Sequence, residues 1–263
     1  MAQRPIRFDD GAAYERMMAV WSRSAGQIFL DWLSPATDLR WIDVGCGNGA
    51  FTELIVQRCA PSEVQGIDPS EAQLAFAHTR PGTAGAEFLL GDAMALPFEA
   101  GRFDAAVMAL VIFFVPEPGK GLAEMMRVVR PGGMVAAYAW DALGGGSPTQ
   151  PILAEMPALG FSPPLPPSAA VSRIEALRGL WLEAGLVAVE TREITVQRTF
   201  DGFDDFWNTT TASTLKHTLA EMPADTVEQL KQRVRARVPA GAQGRITYDA
   251  RANAVKGRVP KSA

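Results

Sequence analysis

The stretch Trp41-Ile42-Asp43-Val44-Gly45-Cys46-Gly47-Asn48-Gly49-Ala50-Phe51 constrains this chain more than any other. An apolar run ends in an acid, three alternating glycines follow, and an amphipathic segment with Phe51, Leu54 and Ile55 begins. The pattern predicts a buried strand turning sharply into a helix N-terminus. Glycine suits that turn because it adopts backbone angles other residues avoid and lets a ligand approach bare main chain. The N–H groups at the helix start favour a carboxylate or a phosphate, whereas Asp43 favours a cation or a donor. A ligand carrying both an amine and a carboxylate satisfies the two together. An amino-acid-bearing nucleotide fits that description.

The glycines alone leave a nicotinamide dehydrogenase open, because Gly45, Gly47 and Ala50 also satisfy the G-x-G-x-x-G/A spacing. Three further features separate the readings. Asp43 sits two residues before the first glycine, where a pyrophosphate-binding turn gains nothing from negative charge. A second strand, Val64-Gln65-Gly66-Ile67, ends at Asp68 and is followed by Pro69, placing a carboxylate where ribose hydroxyls can donate to it. A third, Glu87-Phe88-Leu89-Leu90-Gly91, ends at Asp92 and Ala93, where an adenine amino group can be met. Dehydrogenases share the ribose acid but not the third one.

The order continues through Phe103-Asp104-Ala105-Ala106-Val107-Met108-Ala109-Leu110 to Glu124-Met125-Met126-Arg127-Val128-Val129-Arg130-Pro131-Gly132-Gly133. With these motifs in line, the chain resembles the class I S-adenosylmethionine-dependent methyltransferases of the small-molecule type, which include the quinone-biosynthesis enzymes. The likeness is strong over roughly 41–140 and weak in the flanks. It implies an α/β, doubly wound, mostly parallel seven-stranded sheet of Rossmann-like type with a helical lid insertion, and S-adenosyl-L-methionine as cofactor. By the same resemblance Gly45, Gly47 and Gly49, with Asp43, Cys46 and Asn48, hold the methionine part. Asp68 and Pro69 hold the ribose, Asp92 and Ala93 read the adenine, and Leu110 joins the cofactor set. One departure stands out: the family often has a histidine in the segment Leu110-Val111-Ile112-Phe113-Phe114, and here Phe113 takes that place, so no histidine base comes from this segment.

Four parts are expected along the chain: N-terminal cap helices over 1–40, a cofactor-binding α/β core over 41–200, a helical substrate lid over 201–244, and a final strand and tail over 245–263. Tyr14, Met17, Met18 and Trp21, then Ile28, Phe29, Trp32 and Leu33, recur at helical spacing. The resemblance implies that such helices cover the cofactor, with Tyr14 and Trp21 lining the cover or packing as core. Pro131-Gly132-Gly133 is expected to stop the fourth helix and open a strand from Met134 to Trp140. A Gly/Pro-rich connector follows, with one short helix inside it. Next come a helix near 172–184, a strand over 186–199, helices over 201–221 and 225–238, the second with Asp225 and Glu228 as a capping box, and a last strand over 245–255. If the 186–199 strand is parallel, its end lies at the edge where open α/β sheets bind ligands, and the insertion leaves the sheet above the methyl donor.

Methyl transfer from a sulfonium needs chiefly an acceptor held in line and water kept out; a base is needed only if the acceptor must lose a proton. His78 and His217 are the only histidines, and both read more simply as surface residues. Trp21, Phe113, Phe114, Trp140 and Trp207 are the candidate substrate pocket, with Phe203 and Phe206 near them, although core packing explains aromatics equally well. Asp204 and Asp205 can neutralise a cationic acceptor or simply start a helix.

The net charge of −4 argues against a nucleic-acid partner, but it is uneven. Residues 225–263 hold nine Lys/Arg against three acids, leaving 16 basic and 26 acidic residues upstream, so either a solvated face or an anion-attracting patch lies there. Two cysteines build no disulfide framework, and nothing resembles a metal ligand set. The first ten residues lack the apolar core of a signal peptide, and the longest apolar run, 105–115, falls short of the ~18 residues a membrane helix needs and reads as the central buried strand of a parallel sheet. A cytoplasmic protein with a small-molecule partner and no membrane contact is expected. An RNA methyltransferase and a non-catalytic S-adenosylmethionine-binding regulator remain as alternatives.

Overall fold

The computed structural model describes residues 11–212 and 215–261; within it, the side chains of 11–17 and 242 are outside the description. Tyr14 is among those, so its expected role falls outside the described side chains. Among the described residues of the first forty, one helix forms, α1 (Gly11–Leu33).

Alternating units follow: β1 (Arg40–Val44), α2 (Ala50–Cys59), β2 (Glu63–Asp68), α3 (Glu71–Thr79), β3 (Ala86–Leu90), β4 (Phe103–Ala109), α4 (Pro118–Val128) and β5 (Val129–Trp140). The apolar runs of β1, β4 and β5 are buried on both sides, as befits interior strands of a parallel sheet. After a connector containing α5 (Gln150–Leu153) come α6 (Ile174–Glu183), β6 (Val187–Phe200), the helices α7 (Phe203–Thr211), α8 (Lys216–Ala220) and α9 (Ala224–Arg237), and β7 (Ile246–Arg258). The seven strands form one sheet in the order β3-β2-β1-β4-β5-β7-β6. β7 is antiparallel to both β5 and β6, so β6 runs in the same direction as β1 to β5. Its end at Phe200 therefore lies at the common C-terminal edge, and the insertion α7–α9 departs from there.

Three local expectations are corrected. β5 begins at Val129, before Pro131-Gly132-Gly133: Phe103 pairs with Val129 and Ala105 with Met134, so the Pro-Gly-Gly residues form a bulge inside the strand. The apolar run 105–115 is not one strand. It breaks at Leu110, whose φ of 63° is left-handed, and continues into a 3₁₀ turn over Ile112–Phe114. In α9 the N-cap is Pro223, with no side-chain cap bond, so the capping box at Asp225 and Glu228 does not form.

α1 lies on one face of the sheet, where the Phe29 ring centre is 4.6 Å from that of Tyr138 on β5. α6 covers the other face through the fully buried Trp181, whose Nε1 donates to the Val135 carbonyl at 3.1 Å. A Cβ on Gly257 of β7 would come within 3.0 Å of Trp181, so the glycine makes room for the indole. No described helix is long and apolar enough to cross a membrane. We expect Trp181→Ala to cost about 3–5 kcal/mol in urea unfolding, from the lost apolar volume and the orphaned carbonyl. A midpoint equal to that of the parent would show that α6 does not clamp the sheet.

Candidate active site at the C-terminal edge of the sheet

The turn after β1 is built on three left-handed glycines, with φ of 78° at Gly45, 53° at Gly47 and 77° at Gly49. They serve different ends. A Cβ on Gly45 would lie 2.5 Å from Val111, so this position is small because the β4 loop crosses it. A Cβ on Gly47 would find only Gln73 Oε1 at 4.0 Å, so bare main chain faces open space. Gly49 is the N-cap of α2, and its Cβ would meet Ala77, Phe88 and Thr83, which places it on the packed side of the turn.

Two carboxylates bracket that turn. Asp68, at the end of β2, accepts from Gly47 N through Oδ2 and from Ser70 N through Oδ1, both at 2.9 Å. Burial raises its pKa, while the two backbone N–H groups pull it down. Asp43, fully buried at the end of β1, accepts from Thr52 Oγ1 at 2.7 Å through Oδ2, whereas its Oδ1 is buried without a partner. Burial raises the Asp43 pKa to about 7 against the Thr52 hydrogen bond, and the Asp68 charge adds to the rise. An unpartnered buried carboxylate oxygen costs free energy that a donor or a cation would recover.

A cavity of about 540 Å³ lies over these groups, among the ends of β1, β2, β4 and β5. Of the expected cofactor residues, Asp43, Gly45, Cys46, Gly47, Asn48, Asp68, Pro69 and Leu110 line it. Gly49, Asp92 and Ala93 do not. Asp92 is exposed and accepts from Met94 N at 2.8 Å, one residue beyond Gly91, whose N–H donates to the Asp68 carbonyl. Burial, with Asp43 and Asp68 nearby, pushes the Cys46 thiol well up, and a Cβ on Gly66 would come within 2.9 Å of its Sγ. Cys46 is thus a small packed residue rather than a nucleophile.

The expected substrate pocket comes together only in part. Phe114 lines the cavity; Trp21, Phe113, Trp140 and Trp207 do not. Trp21 packs on Phe200 and Tyr248 at 6.4 Å each, Phe113 is buried beside Phe114 at 4.4 Å, and Trp207 stacks on Phe203 at 6.3 Å. Trp140 is buried at the very end of β5. None of the residues 201–238 is in the wall. In their place stand Ser22, Phe51, Gln73, Val111 and Tyr138, which the pattern did not single out. Two signals were available in the sequence: Ser22 lies one turn before Gly26, and Tyr138 is, with Trp140, one of two polar-tipped residues in the alanine-rich end of β5.

Among the described residues, no Lys, Arg or His lines the cavity. His78 is exposed and sits edge-on to Phe88 at 5.4 Å, and His217 is exposed on α8. The basic C-terminal stretch is used internally. Lys231 and Arg235 pair with Asp204 at 3.0 and 3.5 Å, and Arg233 and Arg237 pair with Glu155 at 2.9 and 2.7 Å. Arg251 pairs with Asp141 at 2.5 Å, so this stretch braces the insertion rather than forming a free cationic face. Asp205 accepts from Asp201 N and Thr209 Oγ1, so both acids of the α7 start have local tasks. Among the described residues no group of three His, Cys, Asp or Glu could hold a metal ion.

Residues 42–137 match the family described as "Methyltransferase domain". The chain is 41% identical over 96 residues to a 2-methyl-6-phytyl-1,4-hydroquinone methyltransferase of Oryza sativa, a match covering 36% of this chain and 28% of the relative. It is 38% identical over 124 residues to a demethylmenaquinone methyltransferase of Staphylococcus aureus, covering 46% of this chain and 48% of the relative. The chain thus spans half or less of the length of these curated relatives. Among solved structures it is similar to the YcgJ protein of Bacillus subtilis, with a TM-score of 0.62 at 16% identity over 91% of this chain and 99% of that one. It is also similar to Haemonchus contortus phosphoethanolamine N-methyltransferase 2 in complex with S-adenosyl-L-methionine, with a TM-score of 0.59 at 18% identity over 95% of this chain and 57% of that one. At those identities the likeness is one of fold. Residues 42–137 thus match a methyltransferase domain, and the seven-stranded sheet that carries them has the Rossmann-like methyltransferase fold.

Proposed function

We propose that this protein transfers the methyl group of S-adenosylmethionine to a small, partly apolar acceptor, and that the acceptor is an electron-rich ring of the hydroquinone class. The observation that carries the donor is the pairing of bare Gly47 main chain with the unpartnered Asp43 oxygen in one cavity. Asp43 would meet the ammonium of the methionine part, the turn and the start of α2 its carboxylate, and Asp68 the ribose hydroxyls. Asp92 and Ala93 sit one step beyond the Asp68 side of the cavity and would meet the adenine at its rim. The names of the curated relatives, a hydroquinone and a demethylmenaquinone methyltransferase, favour an acceptor of that class. The wall agrees in chemistry, since Phe51, Leu110, Val111 and Phe114 are apolar and no cation stands among its described residues.

S-adenosylmethionine supplies an already activated methyl group on a positively charged sulfur. The chain's own task is to hold the acceptor in line and exclude water, and the apolar wall supports both. The absence of histidine from that wall fits an acceptor that is nucleophilic without a histidine base. The insertion 201–244 serves in this reading as the acceptor-side lid over the 41–200 core. It leaves from Phe200 at the cavity edge, and Phe206 packs at 5.2 Å on the Phe200 ring that Trp21 of α1 also touches. The acidic balance and the internally paired arginines favour a small molecule over RNA.

Methyl-labelled S-adenosylmethionine incubated with the protein and a reduced short-chain naphthoquinol should yield labelled product in the organic phase. Tight donor binding with no product from any quinol would rule out this acceptor class and favour the non-catalytic regulator. Asp68→Ala should weaken donor binding by about 1.5–3 kcal/mol per charge-assisted hydrogen bond lost. Gly47→Val should weaken it more, by placing a branched side chain in the approach to the main chain. Parent-like affinity in both would remove the site assignment.

Asp43 makes a separate pH-dependent claim. Its pKa is raised from 3.8 to about 7, so the protonated form is favoured in the fold. The stabilisation is full below about pH 4 and is lost as pH rises through about 7. An arriving ammonium favours the ionised form, so donor binding at pH 6.5 should release protons, seen as a buffer-dependent binding enthalpy. The release should vanish at pH 9 and in Asp43→Asn. A buffer-independent enthalpy at pH 6.5 would contradict the contact.

A further inference from the structure

We propose that the Trp140 indole N–H, assisted by Ser22, forms an acceptor subsite that recognises an uncharged oxygen on an aromatic ring. The proposal deepens the methyltransferase reading above and rests on it. Trp140 is the last residue of β5, only 5% exposed, and its Nε1 is buried without a hydrogen-bond partner. Buried indole N–H groups normally find an acceptor, and an indole has donor capacity alone. By contrast Trp181, equally buried on the other face, spends its N–H on the Val135 carbonyl. Trp41 Nε1 also lacks a partner, but it lies near the start of β1, three residues short of the strand's cavity end.

The position of Trp140 distinguishes it. Side chains alternate along a strand, so Trp140 shares a sheet face with Tyr138, which lines the cavity. Trp140 pairs with Ala252, and from there β7 runs on past the end of β5 through Ala250 to Tyr248, against which Trp21 packs. The indole is therefore framed between the cavity wall on one side and the α1–β7 aromatic contact on the other. Ser22, next to Trp21 on α1, lines the cavity, and its Oγ is also buried without a partner. Two unpartnered polar atoms thus come from the two elements that border the cavity on the acceptor side. A donor-only N–H and a hydroxyl, in a wall with no cation among its described residues, suit a carbonyl or phenolic oxygen rather than a carboxylate or phosphate.

The test uses binding rather than turnover. With the site loaded with S-adenosylhomocysteine, the parent is titrated with 2,3-dimethyl-1,4-naphthoquinone, whose ring carbons are blocked to thiols and to methylation, and with 2,3-dimethylnaphthalene, which lacks the oxygens. We expect the parent to prefer the quinone, and Trp140→Phe to lose about tenfold for the quinone, about 1.4 kcal/mol, with no change for the hydrocarbon. Ser22→Ala should show the same selective loss to a smaller degree, each comparison being made with S-adenosylhomocysteine saturating for that variant. Equal losses for both ring ligands would make Trp140 a packing residue and overturn the proposal. So would a parent that binds S-adenosylhomocysteine but shows no preference for the oxygenated ring. Failure of the parent to bind S-adenosylhomocysteine would instead remove the methyltransferase reading, and this subsite with it. Should Trp140→Phe not fold, the Ser22→Ala comparison decides by the same criterion.

Discussion

The structure at the cavity depends on one arrangement: a buried carboxylate at the end of β2 holding the main chain that leaves β1. Asp68 accepts from Gly47 N and Ser70 N, so one side chain fixes both the glycine turn and the start of the chain into α3. The turn can then be left-handed at three positions while α2 begins at Ala50. Asp43, two residues before that turn, is held on one oxygen by Thr52 from the first turn of α2. Two neighbouring strand ends and one helix start are thereby tied together around a patch of bare backbone. The cost is concentrated charge in a buried place, visible as the upward pKa of both acids. A ligand bearing an ammonium would relieve that cost.

Around this centre the fold divides labour between two faces and one edge. α6 and Trp181 cover one face, whereas α1 lies over the other with Gly26 against Phe51 and Leu54 of α2. The left-handed Leu110 turns the chain off β4 and places Val111 and Phe114 in the wall. A non-glycine residue in that backbone region is a local strain that the surrounding packing must sustain. The insertion, braced by Asp204 and Glu155 against the arginines of α9, stands at the same edge beside α1. That bracing gives the basic stretch acidic partners within the chain.

The alternation of strands and helices from β1 to β5 and the acids at the strand ends were legible because each rests on local chemistry, whereas the direction of β6 follows only from its pairing with β7. A charged residue that ends an apolar run must sit at a strand end, and a glycine cluster after it must turn. What each glycine faces was not legible: spacing cannot tell that Gly47 looks into the cavity while Gly49 looks at Ala77 and Phe88. Composition does not distinguish a core ring from a wall ring, and the structure packs Trp21 on Phe200 and Tyr248 and Trp207 on Phe203. Tyr138 and Ser22 were overlooked because neither is apolar enough to be read as wall nor charged enough to be read as chemistry. The bulge at Pro131 escaped notice because strand pairing at Val129 is set by Phe103 across the sheet, a contact no local pattern encodes.

Calorimetric titration of the full chain with S-adenosylmethionine and S-adenosylhomocysteine, with NAD as the control, tests the central claim most directly. The account expects micromolar binding of both sulfur ligands at one site per chain, and none of NAD. Binding of NAD with neither sulfur ligand would show that the glycine turn serves a pyrophosphate. Silence from all three would contradict the account outright.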